Sequence, residues 1–148
     1  MIIISSDEYL VLEDQLCFIL YVCTKEVIKR YQGYLEKMDL TFTQYLTMIV
    51  LWNKDNISAN ELGRKLYLDS GTITPLLKKL EAKGLIERVV DTKDARYILN
   101  KVTQKGNDLK NLVKDVPEKI LLETGVPIEE ANNIKRLLTS ILDMVNRT

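Results

Sequence analysis

The segment from residue 58 to residue 106 constrains the fold most, because the period of its apolar residues changes along its length. Within it, Ile73, Leu76, Leu77 and Leu80 recur at spacings of three and four. This spacing places the four side chains on one face of a helix that ends at a glycine. After that glycine, residues 85–90 and 96–102 read as two strands joined by a polar turn. The segment therefore predicts a helix followed by a β-hairpin.

A shorter helix is predicted immediately before this one. Ser58 is followed three residues later by Glu61, the pattern of a capping box, so a helix should begin there and run to about Leu66. A turn follows, with Asp69 or Ser70 as the cap of the next helix. The order helix, turn, helix, hairpin is that of a winged helix-turn-helix. The predicted fold class is mainly α with a small β-hairpin wing.

Helical patterns also flank this segment on both sides. A long amphipathic helix is predicted over about residues 8–38 and a buried one over about 43–54. Beyond the hairpin, Thr103 is a candidate cap for a helix that runs to about residue 115, and Pro117 should kink or break it. A last amphipathic helix is predicted from Ile128 to about Val145.

Charge is unevenly distributed along a chain whose net charge is zero. Residues 58–105 carry 10 basic and 6 acidic side chains, whereas residues 1–57 carry 5 and 8, and residues 106–148 carry 6 and 7. A basic middle segment that coincides with the predicted helix-turn-helix favours double-stranded DNA as a partner.

Composition disfavours other classes of function. The 148 residues include no histidine, so the commonest general base and metal ligand is missing, and neither a hydrolase, a metal site nor a cofactor is expected. No apolar run approaches the ~20 residues of a membrane span, and no secretory signal is recognisable. We therefore expect a cytoplasmic protein with no membrane partner and no enzymatic activity.

The predicted second helix and hairpin carry side chains suited to DNA. Short hydroxyl side chains in the first turns of a helix can reach base edges in the major groove, lysines one turn later can reach phosphates, and cations on a wing can reach the minor groove. The candidates are Ser70, Thr72, Thr74, Lys78, Lys79, Lys93 and Arg96. Taken singly, each lysine is better explained as part of a solvated helix face, and only the whole arrangement with the local positive charge favours DNA.

Residues 66–106 resemble the DNA-binding region of the MarR family of bacterial regulators. The Asp94-x-Arg96 pair is a hallmark of that family, and the resemblance implies that Asp94 stabilises the wing while Arg96 contacts DNA or the wing. The stretch "QLCFILY" at residues 15–21, together with "LDSGTITPLLKKLE" at residues 68–81, is similar to the organic-hydroperoxide-sensing branch, which includes OhrR-like and SarZ-like regulators.

The resemblance, which covers nearly the whole chain, also implies an architecture and a function. The chain would be one MarR-type domain over residues 1–148, with a winged helix-turn-helix at about 58–102. Helices in about 8–38 and 103–148 would hold a MarR-type homodimer. The implied function is a repressor that binds a pseudo-palindromic operator and is switched by oxidation of one reactive cysteine.

The two cysteines, Cys17 and Cys23, lie in the same predicted helix but on different faces. Cys23 falls in an apolar stripe and is expected to act as a small apolar residue. The other members of this stripe are Leu12, Leu16, Leu20 and Val27. Cys17 is rotated about 100° from its neighbour Leu16 and faces Tyr21. Their Cα atoms would be about 9 Å apart in a helix, beyond the reach of a disulfide.

Spacing alone leaves open whether Cys17 senses oxidants or only fills space. The resemblance implies that Cys17 is the sensor and that Tyr21 and Tyr31 donate hydrogen bonds to its sulfur, at least one from the partner subunit. Peroxide would convert the thiolate to a sulfenic acid, which a small thiol could trap as a mixed disulfide. No cysteine follows Cys23, so the two-cysteine version of the sensor does not fit.

Two alternatives remain open from the sequence. One is a MarR-type repressor controlled by a small phenolic or lipophilic ligand bound between the dimerisation and DNA-binding regions, with Cys17 only structural. The other is a thiol peroxidase or an adaptor with no DNA role, which the lack of histidine and of a resolving thiol disfavours.

Overall fold

The computed structural model describes residues 10–146, which form two compact units divided between Lys114 and Asp115. The first unit contains, in order, α1 (Leu16–Leu35), α2 (Phe42–Asn53), β1 (Ile57–Ser58), α3 (Ala59–Leu66), α4 (Ser70–Ala82), β2 (Ile86–Val90), β3 (Ile98–Val102) and α5 (Gln104–Val113). The second unit contains α6 (Val116–Thr124) and α7 (Ile128–Val145). Between residues 10 and 146, no helix has both the length and the apolar character needed to cross a bilayer.

The helix starts of the central segment follow the capping residues in the sequence. Ser58 Oγ accepts a hydrogen bond from the amide of Glu61 at 3.2 Å, and Asp69 Oδ1 accepts from the amide of Thr72 at 2.8 Å. Thr103 Oγ1 accepts from the amide of Gly106 at 3.1 Å. Each side chain satisfies an amide that the first helical turn leaves free, so the predicted starts of α3, α4 and α5 are confirmed.

The wing contains a third strand that the sequence did not reveal. β1 pairs with β3 in an antiparallel sheet of order β1-β3-β2, with Ile57 opposite Asn100. The buried side chain of Asn100 also donates from Nδ2 to the carbonyl oxygen of Ile57 at 2.9 Å. A strand of two residues is too short to show an alternating pattern, so only its pairing identifies it.

The first predicted helix, over residues 8–38, is wrong in its limits. Residues 12–14 form a 3₁₀ turn, and Gln15 adopts an extended conformation with ψ of 111°. The carbonyl oxygen of Gln15 accepts from the amides of Phe18 and Ile19, so Gln15 serves as the cap of α1. A second 3₁₀ turn, at residues 36–38, follows α1. Residues 8 and 9 lie outside the described part of the chain.

The helix predicted after the wing, and its break near Pro117, are confirmed, and a further helix that was not predicted follows it. α5 ends at Val113, and α6 begins at Val116 with Pro117 in its first turn, where a missing amide costs no helical hydrogen bond. α6 ends at Thr124 and is followed by Gly125, whose φ of 68° suits glycine. α7 then spans Ile128–Val145, as predicted.

Candidate DNA interface and thiol site

Helix α4 separates an apolar face from a polar one. Its four apolar residues, Ile73, Leu76, Leu77 and Leu80, are buried as predicted. Four of the five candidate DNA contacts on this helix are exposed: Ser70, Thr72, Lys78 and Lys79. Thr74 is only half-buried, because it lies three residues before the buried Leu77 and so borders the apolar face. The exposed face offers hydroxyls in the first turn and ammonium groups one to two turns later.

The turn between α3 and α4 is held by a close approach of backbone groups. A side chain on Gly63 would come within 2.7 Å of the carbonyl oxygen of Leu68, so glycine is required there. Tyr67 adopts a left-handed conformation with φ of 55° and bonds back from its amide to Arg64. Arg64 and Tyr67 line a cleft of about 720 Å³ that also includes Tyr97 of the wing. Arg64, Tyr67 and Tyr97 are not among the DNA-contact candidates predicted from the sequence, although Arg64 belongs to the basic segment.

The wing is closed by an ion pair between Asp94 and Arg96. Arg96 Nη2 donates to Asp94 Oδ2 at 2.7 Å, Arg96 Nε donates to Asp94 Oδ1 at 2.9 Å, and the amide of Arg96 donates to the same Oδ1 at 3.1 Å. These bonds, first from the guanidinium and then from the amide, lower the pKa of the Asp94 carboxyl. The aspartate thus fixes both the backbone and the side chain of Arg96. The other candidate cation, Lys93, is exposed at the tip, with its amide donating to Asp91 Oδ1 at 2.9 Å.

Cys17 is the second residue of α1, and its side chain is exposed. Tyr21, one turn later, is 64% exposed. Among residues 10–146, no group donates a hydrogen bond to the Cys17 sulfur within the chain. The predicted contacts of Tyr21 and Tyr31 with this sulfur are therefore not formed inside one subunit.

Tyr31 lies 14 residues beyond Cys17 on α1, a helical rise of about 21 Å. Its ring is instead packed near the start of α2, with its centroid 5.2 Å from that of Phe42 and 5.7 Å from that of Tyr45. Burial raises the pKa of the Tyr31 phenol. Tyr31 can reach a Cys17 sulfur only if that sulfur belongs to another copy of the chain.

The apolar stripe that contains Cys23 is exposed within the single chain. Leu16 is 64% exposed and Val27 is 39% exposed, and Cys23 itself is exposed. Cys23 is therefore not buried within one chain, and its expected role as a small apolar residue of the stripe stays a prediction. In the second unit, α7 carries a similar exposed apolar stripe: Ile134, Leu137, Leu138, Leu142 and Val145.

Comparison with known proteins decides the family. The profile of the family described as transcriptional regulator SarA/Rot matches residues 29–113, which include α2, the helix-turn-helix and the wing. The chain belongs to the SarA/Rot family of transcriptional regulators.

Full-length relatives support this SarA/Rot assignment. The chain is 39% identical over 137 residues to the HTH-type transcriptional regulator SarZ of Staphylococcus haemolyticus, which covers 93% of this chain and 92% of that protein. It is 36% identical over 140 residues to the organic hydroperoxide resistance transcriptional regulator of Bacillus subtilis, covering 95% of each. Both relatives are transcriptional regulators.

A solved structure supports the fold of this SarA/Rot protein. The structure of reduced AbfR bound to DNA superimposes with a TM-score of 0.79 at 27% identity, covering 95% of this chain and 96% of that one. The winged helix-turn-helix fold and the resemblance to MarR-family, OhrR-like and SarZ-like regulators are confirmed. The chain is a DNA-binding transcriptional regulator of this type.

Proposed function

We propose that the protein is a homodimeric repressor whose binding to a pseudo-palindromic operator is switched by oxidation of Cys17 by an organic hydroperoxide. The observation that carries this proposal is the position of Cys17. Its exposed thiol lies in the first turn of α1, beside an apolar stripe that a single chain leaves uncovered. A change in the size and polarity of that side chain would therefore act on a dimer interface.

The exposed apolar stripes of α1 and α7 support the homodimer. Aliphatic side chains in two long helices remain in water in the single chain, and burying them against a second copy releases free energy in proportion to their apolar area. In such a dimer, two copies of α4 would enter successive major grooves if their centres lay about 34–36 Å apart.

The proposed DNA contacts divide into base readers and phosphate contacts. Ser70, Thr72 and Thr74 would read base edges, because they lie in the first two turns of α4. Lys78 and Lys79 would neutralise phosphates, and Lys93 and Arg96 would reach the minor groove or backbone from the wing. Exposure of Ser70, Thr72, both α4 lysines and both wing cations supports these roles, whereas half-buried Thr74 has the least access.

The redox step needs only the thiol and an external peroxide. The Cys17 thiolate attacks the distal oxygen of the hydroperoxide, the O–O bond breaks and the sulfur becomes a sulfenic acid. The alkoxide that leaves takes up a proton from water to give the alcohol. A small thiol then displaces water from the sulfenic acid to form a mixed disulfide. The relative named for organic hydroperoxide resistance supports this choice of oxidant.

A pair of matched variants tests the proposal. Cys17→Ser and Cys23→Ser each remove one exposed thiol from α1. Operator affinity is measured by fluorescence anisotropy before and after limiting cumene hydroperoxide, with and without a small thiol, while intact mass reports the added oxygen or thiol. We expect Cys17→Ser to lose the response and the mass change, and Cys23→Ser to keep both.

Several outcomes would contradict the proposal. If Cys17→Ser retained the full peroxide response, Cys17 would not be the sensor. Release from DNA by a phenolic ligand in both variants, without any peroxide response, would support the ligand-controlled repressor instead. A flat dependence of DNA affinity on salt would contradict the DNA interface itself, because neutralising phosphates gives a steep negative slope.

A further inference from the structure

Lys83, the residue that follows α4 as its C-terminal cap, binds the loop between α1 and α2. Its ammonium donates to the carbonyl oxygen of Asp39, lies 3.2 Å from Asp39 Oδ2 and donates to Gln44 Oε1 at 3.1 Å. An ammonium has three N–H groups, and these three acceptors match them in number. This contact joins two residues that are 44 positions apart in the sequence. The Lys83 side chain is only 26% exposed, whereas Lys78 and Lys79 on α4 are exposed.

The acceptors belong to a hydrogen-bonded corner between α1 and α2. Asp39 has a left-handed backbone with φ of 52°, and the next amide, that of Leu40, donates back to the carbonyl oxygen of Leu35 at 3.0 Å. Gln44 is 3% exposed, and its Oε1 also accepts from the amide of Thr41 at 3.1 Å, completing the capping box of α2. Lys83 thus binds the groups that end α1 and begin α2.

The same residue is held from the other side. Its carbonyl oxygen accepts a hydrogen bond from Lys105 Nζ at 2.7 Å, and the following residue, Gly84, accepts from Thr103 Oγ1 at 2.6 Å. The C-terminal end of α4 is therefore fixed between the α1–α2 corner and the start of α5. Its N-terminal turn, with the candidate base readers, lies about 18 Å away along the helix axis. If α4 tilts slightly about its C-terminal end, its N-terminal turn is therefore displaced.

We propose that Lys83 is a positioning residue for DNA recognition. Its ammonium sets the tilt of α4 relative to the α1–α2 corner and transmits movement of α1 to α4. The second half of this inference rests on the proposed redox function, because α1 carries Cys17. Lys83 does not touch DNA; it acts through the orientation of the helix that does.

The test compares Lys83→Met with Lys54→Met in the full-length reduced protein. Lys54 forms an ion pair with Glu61 at 2.6 Å that joins the end of α2 to α3, so its loss removes the same charge and a comparable contact without touching the corner. We expect Lys83→Met to lower operator affinity about tenfold while random-DNA affinity stays within about twofold. Lys54→Met should change neither by more than about twofold.

A conservative variant guards against a trivial loss of fold. Lys83→Arg keeps the positive charge and several donors, and it should recover most of the operator affinity lost in Lys83→Met. Circular dichroism should show the same helix content in all variants. The positioning role would be wrong if Lys83→Met bound operator as the wild type does, or if it lost operator and random-DNA affinity equally.

The transmission of movement from α1 to α4 is tested by the ratio of operator affinities before and after oxidation of Cys17. A smaller ratio in Lys83→Met than in the wild type would support transmission through Lys83, and an unchanged ratio would overturn it. If the wild type itself showed no change on oxidation, the proposed redox function and with it the transmission half would fail. The positioning role of Lys83 would still be tested in that case, because it depends only on how Lys83→Met changes the affinities for operator and for random DNA in the reduced protein.

Discussion

Asp94 holds the guanidinium of Arg96 by two parallel bonds, 2.7 Å from Nη2 to Oδ2 and 2.9 Å from Nε to Oδ1. The pair projects from the wing, with the arginine side chain 85% exposed. A pair so exposed stabilises the folded chain little, since water and salt screen it. In the proposed DNA interface, the pair orients a cation before DNA arrives, which would reduce the entropy lost on binding.

We predict that Asp94→Asn weakens operator binding about five- to tenfold, because Arg96 loses its charged partner and samples more conformations. The free energy of unfolding should hardly change. Fluorescence anisotropy with operator DNA and urea titration measure the two quantities. Glu87→Gln serves as control, since it breaks the other wing ion pair, 3.5 Å from Lys101, without affecting Arg96. Equal losses in both variants would contradict the orienting role.

The same pair predicts a dependence on pH. Because the folded-state pKa of Asp94 is lowered, its stabilising effect is present above the pKa of the unfolded chain and is lost as pH falls through the folded value. Carboxyl NMR signals should show Asp94 titrating below an ordinary aspartate. In Arg96→Ala the pKa should move back up, because the largest cause of the shift is the guanidinium. An unchanged titration would show that the pair does not form in solution.

A steric prediction concerns Gly106, in the first turn of α5. A Cβ at this position would overlap the carbonyl oxygen of Leu85 and lie 2.8 Å from Val102 Cγ1, and the carbonyl oxygen of Gly106 accepts from Trp52 Nε1 at 3.0 Å. We expect Gly106→Ala to lower the free energy of unfolding by about 1–3 kcal/mol, measured by urea titration. Gly33→Ala is the control: no atom lies within 4 Å of its added Cβ, so it should not destabilise.

Local patterns in the sequence predicted the helix-turn-helix well. The caps at Ser58, Asp69 and Thr103 and the buried face of α4 depend on residues within one or two turns of each other, so the sequence displays them directly. The third strand and the contact from Lys83 to Asp39 could not be read in this way. Each joins groups more than 40 residues apart, and no local pattern marks such pairs.

The thiol site was only partly predictable for a related reason. Helical spacing placed Cys17 and Cys23 on different faces of α1, and both are in that helix. Spacing also identified an apolar stripe, but it does not indicate what covers that stripe. Leu16 and Val27 are exposed in the single chain because their cover, in the proposed function, is a second copy.

Base reading by Thr72 predicts a specific loss. Thr72→Ala should weaken operator binding by about 1–3 kcal/mol while random-DNA affinity stays unchanged, because only base contacts distinguish the two. Lys78→Ala should instead weaken both and reduce the slope of log affinity against log salt by about one. Anisotropy titrations at several salt concentrations measure these effects. If Thr72→Ala weakened both DNAs equally, Thr72 would not be a base reader.

The half-buried phenol of Tyr31 and the buried phenol of Tyr45 predict a loss of stability at alkaline pH. Burial raises the pKa of Tyr31 and of Tyr45, and the charge on Tyr31 raises that of Tyr45 further. Their raised folded-state pKa values give a stabilisation that is present below the unfolded-state pKa of about 10 and is lost as pH rises through the folded values. Urea titrations at rising pH should show this loss, and Tyr31→Phe should reduce it. If Tyr31→Phe lost as much unfolding free energy at alkaline pH as the wild type, the loss would come from groups other than Tyr31.

Tyr31 also tests whether the thiol site is built from two copies of the chain. Tyr31→Phe keeps the ring that packs on Phe42 and Tyr45 but removes the hydroxyl proposed to bond the partner's sulfur. We expect sulfenic acid formation on Cys17 to slow by about 10- to 150-fold at most, which corresponds to the roughly 1.5–3 kcal/mol of a hydrogen bond to a charged group. Reduced-state operator affinity should be unchanged. Tyr45→Phe, which alters the neighbouring ring of the same cluster, is the control. If the two variants slowed oxidation equally, packing of the aromatic cluster and not the Tyr31 hydroxyl would set the reactivity of the thiol.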